Sequence, residues 1–277
     1  MTAAPVRVSP QWLWLREPAD AAARASELVE TVRQHLPAGR RAVIHDLGCG
    51  TGSMGRWLAP QLAGTQHWIM YDRDAELLAH AAADPPGVAA DGAEVTIQTR
   101  RRDITRLDTG GLADASLITA SALLDVMTAD ELDRLVTTCV RAGCPVLVSI
   151  SVIGRVELTP ADPLDEHIAD AFNAHQRRTA GGRRLLGPDA VDAAVNAFTR
   201  LGTDVLVRPS PWRLDTENAA DAALATEWLA GWVGAACTQR PELTAPAAAY
   251  ARRRLGGAGS GRLRITVHHQ DLLATPR

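Results

Sequence analysis

Short apolar runs bounded by turn residues recur along the chain and predict strands at 42–47, 66–71, 94–98, 115–120, 145–152, 204–207 and 263–267. Between them the apolar positions switch to helical spacing. Ala21, Ala25, Leu28, Val32 and Leu36 give one such stripe, and Met54, Trp57, Leu58 and Leu62 another. Leu132, Leu135, Val136, Cys139 and Val140 follow a capping box, Thr128-Ala129-Asp130-Glu131, and Gly143 stops that helix. Further stripes are Leu164, Ile168, Phe172 and His175; Val191, Ala194, Val195, Phe198 and Leu201; and Leu224, Trp228 and Trp232. At the front, residues 1–17 read as irregular, Pro18 opens the first helix and Pro37-Ala38-Gly39 closes it. The fifth run is apolar except at Ser149 and Ser151, which places it mid-sheet. Strands alternating with helices predict an α/β fold around a mostly parallel sheet.

The first strand ends in an acid and runs into Asp46-Leu47-Gly48-Cys49-Gly50-Thr51-Gly52-Ser53-Met54-Gly55 before the next helix begins. Such a turn needs residues that accept positive φ and let backbone approach a ligand. A triphosphate loop would place Lys after Gly55, but Arg56-Trp57 follows. A dinucleotide turn fits Gly50, Gly52 and Gly55 literally. A sulfonium ligand is better served by a nearby acid and no cation in the turn. Asp46 supplies the acid, and no Lys or Arg occurs in the turn before Arg56. The run Asp46 to Gly52 resembles the glycine-rich first motif of the class I (Rossmann-like) S-adenosylmethionine-dependent methyltransferases.

That resemblance implies a doubly wound seven-stranded sheet of order 3-2-1-4-5-7-6, with S-adenosylmethionine as cofactor. It implies cofactor contacts from Asp46, Gly48, Cys49, Gly50 and Gly52 in the turn. Asp72, at the end of the second strand, would bind the ribose hydroxyls, with Arg73 beside it. Asp103 and Ile104 would meet the adenine after the third strand, and Ser121 lies on the catalytic-face segment after the fourth. NAD enzymes place an acid at the same point as Asp72, so this residue supports an adenosine ligand without choosing between the two. The Asn/Asp-Pro-Pro-aromatic motif of amino-directed DNA and protein methyltransferases is missing from 119–125. An N-terminal helix commonly covers the cofactor in this family, so Trp12, Trp14 and Arg16 are candidates to line the pocket, packing being the alternative.

The chain of 277 residues suits one domain, with residues 1–39 as a helical cover and insertions at about 154–187 and 209–261 over the active site. His175 is expected to face inward beside the carboxyl edge of the sheet. It is the first candidate base and Asp125 the second, if the acceptor must lose a proton. The net charge of −3 argues against a general nucleic-acid binder, and the arginine clusters (100–102, 177–178, 183–184, 252–254) read as solvated faces. Lysine is missing altogether, which excludes Schiff-base chemistry. Four cysteines lack metal-ligand spacing, and His268-His269 point to opposite faces of a strand, so no metal is expected. No apolar run reaches membrane-spanning length and no signal pattern opens the chain, so a cytoplasmic protein without a membrane partner is the default. The reading is methyl transfer to a small-molecule acceptor, with Arg177, Arg178 and Arg213 compatible with an anionic one. The alternatives are a nicotinamide oxidoreductase or a non-catalytic S-adenosylmethionine-binding protein. Oligomeric state is not legible.

Overall fold

A computed structural model describes residues 8–37 and 39–277; Ala38 and the expected irregular start at 1–7 lie outside the described residues. In chain order the elements are α1 (Pro10–Ala23), α2 (Glu27–His35), β1 (Ala42–Leu47), α3 (Ser53–Leu58), β2 (Gln66–Asp72), α4 (Ala75–Ala83), β3 (Val95–Arg101) and β4 (Leu117–Ser121). There follow α5 (Ala129–Ala142), β5 (Val146–Thr159), α6 (Asp165–Gln176), the short strands β6 (Thr179–Ala180) and β7 (Arg183–Arg184), and α7 (Ala190–Arg200). The chain closes with β8 (Asp204–Pro209), β9 (Trp212–Asp215), α8 (Ala219–Gln239), α9 (Thr244–Gly259) and β10 (Arg264–Thr275).

The sheet order is β3-β2-β1-β4-β5-β10-β8, with β9 added alongside β10. β1 to β5 pair in parallel, and β10 runs antiparallel to both β5 and β8. With β8 as sixth strand and β10 as seventh, this is the order 3-2-1-4-5-7-6. One apolar layer packs each face of the sheet. On one side Val136, Cys139, Ala194 and Phe198 of α5 and α7 cover Ile118 and Val148. On the other, Val32, Met54 and Leu58 of α2 and α3 cover Ile44, Trp68 and Leu117.

Two expectations need correcting. The seventh strand does not stop at residue 267. Arg264–Val267 pairs with β9 and Gln270–Thr275 with β8, while the pairing with β5 continues from Arg264 to Ala274 with register shifts at Val267/His269 and Gln270/Leu272. Gln270-Asp271 interrupts the apolar alternation, which hides the second half. β5 likewise continues to Thr159. The long β5–β10 pair thus projects beyond the sheet and carries α6, α8 and α9, which share a third apolar core around Ile168, Leu224, Trp232 and Tyr250.

The first helix begins at Pro10, not Pro18. Ser9 caps it, its Oγ accepting from Trp12 N at 3.2 Å, and Pro10 sits in the first turn. Pro18 lies inside the helix on its exposed side, near exposed Trp14. The predicted stripe is then split between α1 and α2, with Arg24-Ala25-Ser26 between them.

Candidate active site

The glycine turn follows β1 directly. Gly48, Gly50 and Gly52 have φ of +68°, +55° and +90°, which L side chains adopt only with strain. Cys49 N donates to Tyr71 O at 2.8 Å, tying the turn to the end of β2. Gly50 N donates to Asp72 Oδ2 at 3.1 Å, and Asp74 N donates to Asp72 Oδ1 at 2.9 Å. Asp72 therefore holds the turn as well as facing it. A Cβ on Gly50 would lie 3.0 Å from Leu13 Cδ1, so α1 covers the turn closely.

Asp46 is wholly buried beneath this turn. Its Oδ1 accepts from Thr119 Oγ1 at 2.8 Å, and its Oδ2 has no hydrogen-bond partner. Burial pushes its carboxyl up to about 6. The counter-charge comes from the N-terminal segment. Arg24, 4% exposed, donates through Nη2 to Ser53 Oγ at 3.2 Å and to Ser121 Oγ at 3.3 Å. Its guanidinium lies over Trp57 at 5.3 Å, and its Nε is buried without a partner. Burial lowers its pKa against the opposing pull of Asp20, Asp271 and Asp46. Ala25 N donates to Asp271 Oδ2 at 2.8 Å and Ile150 N to Asp271 Oδ1 at 2.8 Å, which fixes the segment against β5 and β10.

Just past β4, and in β5 where its pairing with β4 ends, the backbone is strained: Ala122 has φ +51° and Ile150 +55° without being glycine. Such outliers persist where surrounding structure dictates them and gather at ligand sites. Just beyond, Asp125 sits in the short helical turn Leu124–Val126. Burial raises its carboxyl to about 6, opposed mainly by its own backbone and by Arg16 of α1. That arginine is held side-on by Asp20, Nε to Oδ2 at 3.0 Å and Nη2 to Oδ1 at 3.1 Å. Its guanidinium lies 5.0 Å from the Trp212 ring and 6.0 Å from that of Trp12. Trp212 Nε1 donates to Asp20 Oδ1 at 2.9 Å, closing the group.

The remaining candidates are more scattered. Arg102 N donates to Asp72 O at 2.9 Å, which sets Asp103 near Asp72. The Asp103 carboxylate caps its own turn, accepting from Thr105 N at 3.1 Å and Thr105 Oγ1 at 2.8 Å. With Arg73 it lines an open groove of about 920 Å³ running along α5 past Glu131 and Arg134. Ile104 is buried. His175 faces inward on α6, half-buried, with Nδ1 lacking a partner; burial and Arg178 lower its pKa. No recorded contact joins it to Asp46, Ser121 or Asp125 among the described residues.

The family model described as "Methyltransferase domain" matches residues 44–145. That stretch carries the sequence pattern of a methyltransferase domain. It begins in β1 and ends before β5, and so contains the glycine turn, Asp72, Asp103, Ser121 and Asp125. No curated protein sequence matches the chain. The chain is similar to the cyclopropane synthase MmaA2 from Mycobacterium tuberculosis, with 13% identity over 97% of this chain and 95% of that one, and a TM-score of 0.51. It is also similar to a methyltransferase from Geobacter sulfurreducens in complex with S-adenosyl-L-homocysteine, with 18% identity over 97% and 99% of the chains and a TM-score of 0.46. At these identities the likeness is one of fold.

The arginines expected near an acceptor have partners of their own or face solvent. Arg177 pairs with Asp189 at 2.6 Å, Arg178 donates to His175 O at 2.9 Å, and Arg213 is exposed. Arg24 lies against Ser53 and Ser121 instead, and Arg16 against Asp20 and Trp212. Arg16 was legible as a pocket candidate; Arg24 was not, because its helical stripe reads as continuous through 25 and hides the break that turns it inward. Arg254 also departs from the solvated reading of its cluster: it is 4% exposed and paired with Asp165. The tryptophan stripe of α8 is packing, with Trp228 and Trp232 stacked at 4.9 Å. No helix among the described residues is long and apolar enough to cross a membrane.

Proposed function

We propose that the protein transfers a methyl group from S-adenosylmethionine to a small molecule held between α1, the β4 tip and the helices carried by β5 and β10. The observation that carries this reading is a pair of opposite buried charges at the glycine turn, each with an unused polar atom. Asp46 offers Oδ2 and Arg24 offers Nε, and in the glycine turn the hydroxyl of Thr51 is buried and unpaired. Leaving such atoms unmatched costs about 1–3 kcal/mol each, more for charged groups. An amino-acid zwitterion is complementary to them, its ammonium to Asp46 and its carboxylate to Arg24. A pyrophosphate would meet a buried acid. The residues present therefore fit the methionine part of the donor, while Asp72 and Asp103 suit its ribose and adenine. When bound, the donor supplies a methyl carbon on a sulfonium, already activated toward a nucleophile.

What remains for the chain is alignment, water exclusion and, for an acceptor that must lose a proton, a base. Alignment of two reactants can account for about 7–11 kcal/mol of a barrier. Leu13 of α1 shields the turn. Asp125 is the base this arrangement favours, because it sits in the turn that follows β4 and carries a carboxyl raised toward neutrality.

Calorimetric titration of the protein with S-adenosylhomocysteine and, separately, with NAD tests the reading. S-adenosylhomocysteine is expected to bind and NAD not to. Binding of NAD alone would transfer the site to the nicotinamide enzymes. Binding without acceptor-dependent release of S-adenosylhomocysteine across a broad panel would leave a cofactor-binding protein without turnover.

A further inference from the structure

The open groove of about 920 Å³ along α5 has no part in methyl transfer beyond Arg73 and Asp103. Its walls carry five arginines, Arg73, Arg106, Arg134, Arg141 and Arg183, against three carboxylates, Asp103, Glu131 and Asp133. In a chain with a net charge of −3 this is a local reversal of sign. The carboxylates are already matched. Asp103 faces Arg106 at 3.6 Å, Glu131 holds Arg183 at 2.6 Å, and Asp133 is held by Arg200 at 2.9 Å. Arg134 and Arg141 are exposed and have no recorded ion pair among the described residues.

We propose that this groove docks an acidic helical segment of a partner polypeptide, whose carboxylates meet Arg134 and Arg141. The two arginines stand seven residues apart on one face of α5. Two turns of helix separate them, about 10 Å along the axis. A second helix laid along α5 repeats that spacing with acids at i and i+7. Thr137 and Thr138 line the groove between them, and their hydroxyls donate to Asp133 O at 2.7 Å and Arg134 O at 3.0 Å. With the hydrogens engaged, these oxygens can only accept, which suits an N–H group and offers nothing to a phosphate. Glu131 and Asp133 likewise oppose a uniformly anionic strand. No aromatic side chain lines the groove for bases to stack on, among the described residues. A polypeptide of mixed charge matches the whole surface, with acids over the arginines and amides or amines over the hydroxyls and carboxylates. Exposed ion pairs contribute little singly, so the contact is expected to be weak, sensitive to salt and shared among several arginines. Its occupancy does not depend on the donor, because neither Arg134 nor Arg141 is assigned to the donor site.

The test uses the full-length protein and a labelled Ala-Glu peptide of about 20 residues, long enough to be helical in water, with glutamates at i, i+3 and i+7 on one face. The same peptide with glutamine at those positions is the control. Fluorescence anisotropy at low salt is expected to show saturable binding that the control lacks and that added salt weakens. Arg134→Gln and Arg141→Gln should each weaken it by about two- to fivefold, and the double variant by about tenfold. Arg252→Gln, on the exposed side of α9, should change nothing. All of these variants should keep the wild-type melting temperature and the wild-type response to S-adenosylhomocysteine. No saturable binding of the glutamate peptide, or binding that survives the double variant, would make the groove a solvated face and overturn the proposal. Tighter binding of a single-stranded oligonucleotide of equal charge, through the same two arginines, would overturn it in favour of a nucleic-acid surface.

Discussion

The proposed donor site turns on two buried charges that the fold brings from distant points of the chain. Arg24 and Asp46 lie on separate elements, and each keeps a polar atom unpaired. Arg24→Gln is therefore expected to weaken S-adenosylhomocysteine binding by about 1.5–3 kcal/mol, roughly ten- to a hundredfold in Kd by calorimetry. Unchanged affinity would remove Arg24 from the site. Asp46 also leaves a mark on stability. Its folded carboxyl is raised from 3.8 to about 6, so the folded state binds the proton more tightly than the unfolded chain. That contribution is fully present below about 4 and is lost as pH rises through about 6, roughly 3 kcal/mol at most. Urea unfolding of the ligand-free protein across this range should show the decline, and Asp46→Asn should make it shallower, leaving the part that Asp125 contributes over the same range. His175 belongs to a different category. With no contact to the turn or to Asp125, His175→Ala is expected to lower the melting temperature while leaving kcat within about threefold. A hundredfold fall in kcat at unchanged stability would restore it as the base.

At the level of elements, the projecting β5–β10 pair depends on a buried ion pair that fastens α9 to the start of α6. Arg254 engages both carboxylate oxygens of Asp165 and donates to Pro160 O at 2.6 Å, and Tyr250 Oη donates to Asp165 Oδ1 at 2.7 Å. The Arg254 side chain is 5% exposed and that of Asp165 17%. Removing one member of such a pair leaves the other charged and shielded from water, which costs about 3–5 kcal/mol. Arg254→Ala should reduce unfolding free energy by that amount in urea, whereas Arg252→Ala, exposed in the same helix, should change it by under about 0.5 kcal/mol. Equal small effects would mean that the pair is solvated. The same cluster shows where the sequence is silent. Three consecutive arginines on a helix necessarily point in different directions, and only the tertiary partner decides which one turns inward.

Across the whole molecule, what could be read from the sequence is what local chemistry dictates. β1, the positive-φ glycines, Asp72 at the end of β2 and the Thr128–Glu131 capping box each follow from a few adjacent residues, and each stands where its pattern puts it. Less legible were features that depend on contacts between distant segments. Pro18 reads as a helix start because the true start, Ser9-Pro10, precedes an apolar stretch too mixed to show a stripe. β10 reads as half its length because buried Asp271 breaks the alternation. That aspartate is there to accept from Ala25 N and Ile150 N, contacts invisible along the chain. These two misreadings concern one device, the anchoring of the N-terminal segment over the glycine turn. If α1 is the cover of the donor site, ligand and helix must stabilise each other, since a ligand that binds only the closed arrangement shifts the population toward it. Hydrogen exchange should then slow across Pro10–Ala23 and at Ala25 when S-adenosylhomocysteine is added, while α9, which shares no contact with the turn, stays unchanged. Cutting the Asp271 anchor with Asp271→Asn should speed exchange in α1 in the free protein and weaken S-adenosylhomocysteine by severalfold, although Asp271 itself is assigned no donor contact. Protection confined to β1 and α3, with α1 unaffected, would make the N-terminal helix a packing element and move the shield of the site to the α6–α8 side.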